Sequence, residues 1–402
     1  MDFYRDKPTT LPRFVYRRLQ AAILRSPEER AGAIKAAVAE LTAGNNPDLR
    51  KFKFFIPDAL KKVLTPEEMA RLLEGTTAQR EKGTSLKMVY PHVSDEFSLD
   101  QDFLASVLEL GGGPVVARNG RFFTIGSCFA RNVAEYLIGA DYRASAFQLA
   151  EDLNSPISNA FLFGLVGQSP ERQATGLARW IRLVFPDYTD AEVTAAVQKK
   201  REEVARLVDE IKSADCVVLT LGNVVDFFQD QNRQAATLLE KIFPKFIALS
   251  ASEDIQVRSS AAHRLKGQGA TLRLASHAET REAIECCVKG VQGLTRAPIV
   301  VTVSPVPIDS VIGLSETELT SAIEVDCVSK SRLRSALHEI IAAQAADHSL
   351  HYFPSFEMVR WVAPMLEMPS FGFDDAASRH VSSPVLNAVC ALFLHKFVKF
   401  AA

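Results

Sequence analysis

Residues Phe122-Phe123-Thr124-Ile125-Gly126-Ser127-Cys128-Phe129-Ala130 lead from an apolar, strand-forming run into a segment with helical spacing. In that segment Phe129, Val133, Tyr136 and Leu137 recur at three- and four-residue steps. A strand that turns through a Gly-Ser pair directly into a helix belongs to an alternating α/β architecture, and it leaves Ser127 on the turn. Free backbone N–H groups and the helix dipole at such a turn can hold an oxyanion. The sequence therefore predicts a serine hydroxyl beside its own anion hole.

From residue 119 onward strands and helices alternate. The pattern predicts strands at Arg121 to Ile125, Tyr142 to Phe147, Cys216 to Leu221, Ile299 to Val303 and His351 to Phe353. Helices fit at 128–139, 156–165, 190–213, 278–291, 329–347 and 384–399. The expectation is a doubly wound, five-stranded parallel sheet, in which ligands bind at the carboxyl ends of strands. Residues 1–118 read instead as a mainly helical region. One helix is expected from Leu11-Pro12 to Leu24, and a second follows the Ser26-Pro27-Glu28-Glu29 opening, with an N-cap serine, a first-turn proline and early acids. Thr65-Pro66-Glu67-Glu68 repeats that opening, and Gly111-Gly112-Gly113-Pro114 marks the boundary before an α/β domain at 119–402. The stretch 223–277 exceeds a simple crossover and reads either as a lid insertion or as an extra helix with a loop.

Charge excludes some functions: 46 basic against 48 acidic residues predict no nucleic-acid surface. The first thirty residues are charged throughout and lack an apolar core, so no secretory signal is expected. No apolar run reaches the ~18 residues of a membrane span. The six cysteines lie mostly in apolar stretches without a C-x-x-C pair, the usage of a reducing compartment, so a cytoplasmic location is expected. No His/Cys/Asp/Glu set has ligand spacing, and neither a metal nor another cofactor is expected.

Three further blocks could serve Ser127. Gly222-Asn223 follows the third strand, where glycine admits close backbone approach and the asparagine amide could bind an oxyanion; the same asparagine equally suits an Asx-turn. Ser304, in Thr302-Val303-Ser304-Pro305-Val306-Pro307, sits on a loop stiffened by prolines, where its hydroxyl bonds backbone or reaches substrate. His380 lies on a polar loop with Asp374 and Asp375 just upstream, the arrangement of a general base oriented by a carboxylate. Cys128 follows Ser127 as the first helical residue, where its N–H can join the anion hole; as a nucleophile it ranks below the serine.

These blocks together resemble the GSCFA family, whose pentapeptide stands complete as Gly126-Ser127-Cys128-Phe129-Ala130. Leu219-Thr220-Leu221-Gly222, Thr302 to Pro307, Ser329-Lys330-Ser331 with Leu333-Arg334, Tyr352-Phe353-Pro354-Ser355-Phe356-Glu357 and Ser378-Arg379-His380 look like its other motifs. The family is similar to SGNH or GDSL-type hydrolases, which implies a flavodoxin-like three-layer sheet, Ser127 as nucleophile and His380 as base. Gly222 and Asn223 fall where an oxyanion amide is supplied, with Asn159 as a competitor. The acid that such hydrolases carry three residues before the histidine is Ala377 here, so either Asp375 or Asp374 completes a triad or the pair acts as a dyad. The resemblance implies a serine esterase acting on a small-molecule, glycan or lipid ester. O-acyl transfer by the same acyl-enzyme, or non-catalytic binding on the same frame, are the alternatives.

Overall fold

The inner strands of the sheet are short, nearly continuous apolar runs, the composition of strands covered on both faces, while the edge strand Arg143–Gln148 is more polar and has no buried position. In a computed structural model of the chain the five strands are β1 (Arg121–Gly126), β2 (Arg143–Gln148), β3 (Cys216–Leu221), β6 (Ile299–Val303) and β7 (Leu350–Tyr352), with β3 and β6 buried at every position. The structure describes residues 113–149, 154–229, 237–243, 263–308, 321–344, 349–365, 369–372 and 379–399. It also describes 10–12, 26–43, 53–55, 63–68 and positions 22, 104, 108, 314, 319 and 374.

The chain divides into two compact units, residues 1–109 with 364–368, and residues 110–363 with 369–402. In the first, helix Pro27–Ala43 opens at Ser26, whose Oγ accepts the Glu29 N–H at 3.4 Å. Thr65 and Glu68 cap each other at 2.9 and 3.2 Å, as their spacing predicts. The expected helix from Leu11 is corrected at its start: Thr10–Pro12 is a strand, paired antiparallel with Lys53–Phe55.

In the second unit the five strands are all parallel and ordered β2-β1-β3-β6-β7. This is the doubly wound order in which the chain reverses direction between the first and third strands. Between strands run α1 (Cys128–Gly139), α2 (Pro156–Val166), α3 (Pro170–Val184), α4 (Asp190–Ser213), α5 (His277–Gln292) and α6 (Ala322–Ala343), and α7 (Ser383–Phe397) closes the fold. Alternate residues of β1 separate the two faces. Phe122 meets Phe393 of α7 edge-on at 6.0 Å, whereas Phe123 and Ile125 join the cluster formed with Ile157, Leu207, Ile284 and Leu333. Helices therefore cover both sides of the sheet in a three-layer α/β fold.

Several boundaries differ from expectation. Helix α3 lies outside the expected set although Leu177, Ile181 and Val184 recur at helical spacing; Ser169 caps it and Pro170 starts it, the same signal that opens the helix after Ser26. Helix α6 begins at Ala322 rather than 329, with Ser321 as cap. Helix α7 ends at Phe397, and Val398–Lys399 then pairs in parallel with Val116–Ala117.

The stretch 223–277 is neither a bare loop nor one helix. Its two ends form β4 (Val225–Phe228) and β5 (Thr271–Leu274), paired antiparallel, with a short helix at Leu238–Lys241. Arg273 of β5 lies 3.7 Å from the Phe228 ring centre and bonds Glu279 of α5 through both nitrogens at 2.9 Å. Partial burial opposes ionisation of Glu279, but the Arg273 and Ser276 hydrogen bonds and the arginine charge outweigh it and lower its pKa from 4.5 to about 2. A carboxylate whose folded pKa is depressed stabilises the fold fully above its unfolded pKa and loses that contribution as pH falls through the folded value. Urea unfolding midpoints should therefore fall between pH 4.5 and about 2 more steeply in the wild type than in Glu279→Gln. Equal slopes would show that the pair adds nothing.

Candidate functional site

At the head of β1, Gly126 adopts φ +151°, a conformation open essentially to glycine. A Cβ there would stand 2.8 Å from both Cβ and O of Thr220 and 3.2 Å from Ala130 Cβ. The missing side chain thus lets β1 press against β3 while the chain turns into α1. The Gly126 carbonyl accepts the Leu149 N–H at 2.7 Å, which fastens the end of β2 to the same turn.

Ser127 follows in the N-cap position of α1, with extended backbone. An N-cap serine ordinarily turns its oxygen onto an N–H of the first turn. Here the side chain makes no capping bond, and the wholly buried Oγ has no hydrogen-bond partner. Cys128 is half-buried at the first helical position, and no disulfide joins the six cysteines. Burial raises the thiols of Cys287 and Cys390, the latter to about 12, which disfavours the reactive thiolate at both.

Across the strand pair, β3 ends at Leu221 and Gly222 follows it. The N–H groups of Gly222 and Asn223 both donate to the Asn154 carbonyl at 3.0 Å. A Cβ on Gly222 would stand 2.5 Å from that oxygen and 2.8 Å from Asn154 Nδ2, so only glycine admits the contact. Asn223 realises the turn reading: its Oδ1 accepts the Val225 N–H at 2.9 Å. From below, Ser329 Oγ accepts the Val224 N–H at 2.9 Å, and the buried Lys330 Nζ donates to the Gly222 carbonyl. Ser304 is buried, and its Oγ accepts the Val306 N–H at 3.3 Å, a loop-shaping bond.

Helix α2 supplies the third wall. Ser155 caps it, accepting the Ser158 N–H at 3.0 Å. The hydroxyls of Ser155 and Ser158 both donate to Oδ2 of buried Asp226, at 2.7 Å from Ser158, while Oδ1 accepts the Phe227 N–H at 2.9 Å. One carboxylate on β4 therefore fixes the start of α2. That anchor places Asn154, just before the cap, and Asn159, on the first turns. Asn154 is wholly buried with neither amide atom hydrogen-bonded, and Asn159 Nδ2 is likewise buried and unbonded.

His380 stands elsewhere on the chain, exposed on the loop before α7. Its carbonyl accepts the Gly372 N–H at 2.9 Å, and Phe371 bridges Val381. Asp374 Oδ2 accepts the Ser383 N–H at 2.7 Å, committing that oxygen to the start of α7. Asp375 lies outside the described residues. The structure thus brings Ser127, Gly222 and Asn223 to the carboxyl ends of the adjoining strands β1 and β3, leaves Asn159 on the first turns of α2, and forms no bond between Ser127 Oγ and His380.

Sequence reasoning missed Asn154 and Asp226. The Asn154-Ser155-Pro156 sequence carries the cap-and-proline start of α2, which would have placed an asparagine at the site's edge. Among the described residues no group of three or more His, Cys, Asp and Glu could hold a metal ion, and no helix is long and apolar enough to cross a membrane. A model of the GSCFA family matches residues 121–393, more than half of the 402-residue chain. No curated protein matches the chain.

Proposed function

The chain belongs to the GSCFA family, and on that premise we propose that it is a serine acyl esterase. One observation carries the reading: Ser127 occupies a helix cap without capping, so its hydroxyl is withheld from the backbone at the strand switch point where such sheets bind ligands. In the proposed cycle Ser127 Oγ attacks the acyl carbonyl carbon as its proton passes to His380. The carbonyl oxygen becomes an oxyanion against the first N–H groups of α1. Collapse breaks the ester C–O bond, and the departing alkoxide takes the proton from His380. Water, deprotonated by His380, then releases the carboxylic acid and restores the serine. In this reading the Ser127–His380 hydrogen bond belongs to the substrate complex, since catalytic hydrogen bonds are often long in the free enzyme and tighten when substrate binds. Asp375 is the carboxylate that would orient the imidazole; without it the pair works as a dyad.

The burial of Ser127 supports a second reading, since an acyl-enzyme shielded from water passes its acyl group to an alcohol more readily than it hydrolyses. A glycan or lipid hydroxyl would then be the acceptor. The experiment is labelling of the full chain with a fluorophosphonate, located by peptide mass, followed by turnover of p-nitrophenyl acetate with and without sugar acceptors. A single adduct on Ser127 is expected. Product without acceptor marks an esterase, and acylated sugar alone marks a transferase. An unlabelled Ser127 would return the protein to the non-catalytic class.

A further inference from the structure

Asn154 Nδ2 lies against Gly222 at the head of β3, and β3 is the strand on which Gly126 packs immediately before Ser127. The side chain is wholly buried, its donor and acceptor both lack a hydrogen bond, and the backbone around it is secured independently of the amide. The Asn154 carbonyl holds Gly222 and Asn223, and Asp226 holds the adjoining cap through Ser155. A buried amide in a well-anchored segment is costly to leave unbonded, which marks it as a group awaiting a ligand. Asn223 is the weaker choice because its side chain closes a turn onto Val225. Asn159 sits more than a turn further along, within α2.

We propose that Asn154 Nδ2 is the side-chain donor to the acyl oxygen in the tetrahedral intermediate, sharing it with the first N–H groups of α1. This assignment rests on the esterase reading of Ser127. The sequence position expected for the oxyanion asparagine, just after β3, is then filled from the same edge of the sheet by the residue before α2 that cradles Gly222.

Fluorophosphonate labelling of Ser127 tests it, because that reaction also builds negative charge on oxygen. Ser127 Oγ bonds phosphorus, fluoride leaves, and the serine proton goes to the base. Asn154→Ala and the near-isosteric Asn154→Asp should label roughly 10²- to 10³-fold more slowly than wild type, the usual loss for one oxyanion donor. KM for p-nitrophenyl acetate should stay within a few-fold while kcat falls, and the thermal midpoint should hold, separating chemistry from folding. Asn159→Ala should slow labelling less than tenfold. Wild-type labelling rates in both Asn154 variants, or a larger loss in Asn159→Ala, would overturn the assignment and leave Ser127 in place. Wild-type protein unlabelled at Ser127 would overturn the esterase reading and this assignment together. If Asn154→Ala does not fold, Asn154→Asp decides.

Discussion

Ser127→Ala is expected to lose ester turnover by roughly 10⁴-fold or more, the scale on which a serine nucleophile acts. The same variant should be at least as stable as wild type. The hydroxyl it removes is buried and unbonded, and a buried polar group without a partner costs about 1–3 kcal/mol. Recovering about 1 kcal/mol in a unit of this size raises Tm by about 2–4 °C. The pairing of lost activity with gained stability is the informative result. A hydroxyl that only supported the fold would show the opposite, with activity and Tm falling together. Kinetics and a thermal scan on the two proteins distinguish the cases.

Gly126→Ala should damage the fold rather than the chemistry alone. Its φ of +151° is strained for any residue with a Cβ, and that Cβ would stand 2.8 Å from the Thr220 carbonyl oxygen, a backbone atom unable to swing aside. Backbone strain and overpacking each cost about 1–3 kcal/mol, so a loss of about 2–5 kcal/mol is expected. That is a large share of the ~5–15 kcal/mol that holds a domain together. Tm should drop by roughly 5–15 °C, and β1 would have to part from β3 to accept the methyl. Gly176→Ala is the control: it lies inside α3 with open space where its Cβ would go, and should be neutral or stabilising by up to about 1 kcal/mol. A Gly126→Ala protein as stable as wild type would remove the steric argument for this glycine.

The central sheet was legible because β3 and β6 are apolar at nearly every position, so their bounds coincide with the runs Cys216–Leu221 and Ile299–Val303. Helix α4 was equally plain, bounded by the Thr189 capping box. Other elements were passed over. The first two turns of helix α3 are polar, so the helical spacing of Leu177, Ile181 and Val184 starts late, and the Ser169-Pro170 opening was the signal to use. Strands β4 and β5 are four residues each and find one another across more than forty residues, which no local pattern encodes. At the site, Ser127 and Gly222 could be read because strand ends carry small residues for steric reasons. Asp226 could not, since its significance lies in contacts between α2 and β4, and of Asn154 only its place before the Ser155-Pro156 cap was legible, not its hold on Gly222. Asn223 was legible as a residue of interest and ambiguous in role; the Val225 N–H decided for the turn.

The antiparallel pairing of β4 with β5 ties the entry of α2 to a segment far along the chain. Asp226 sits in β4 opposite Arg273 of β5, so the strand that holds the Ser155 and Ser158 hydroxyls is itself held by the strand that leads into α5. Weakening β5 would therefore loosen the start of α2, and with it Asn154, without altering any residue beside the serine.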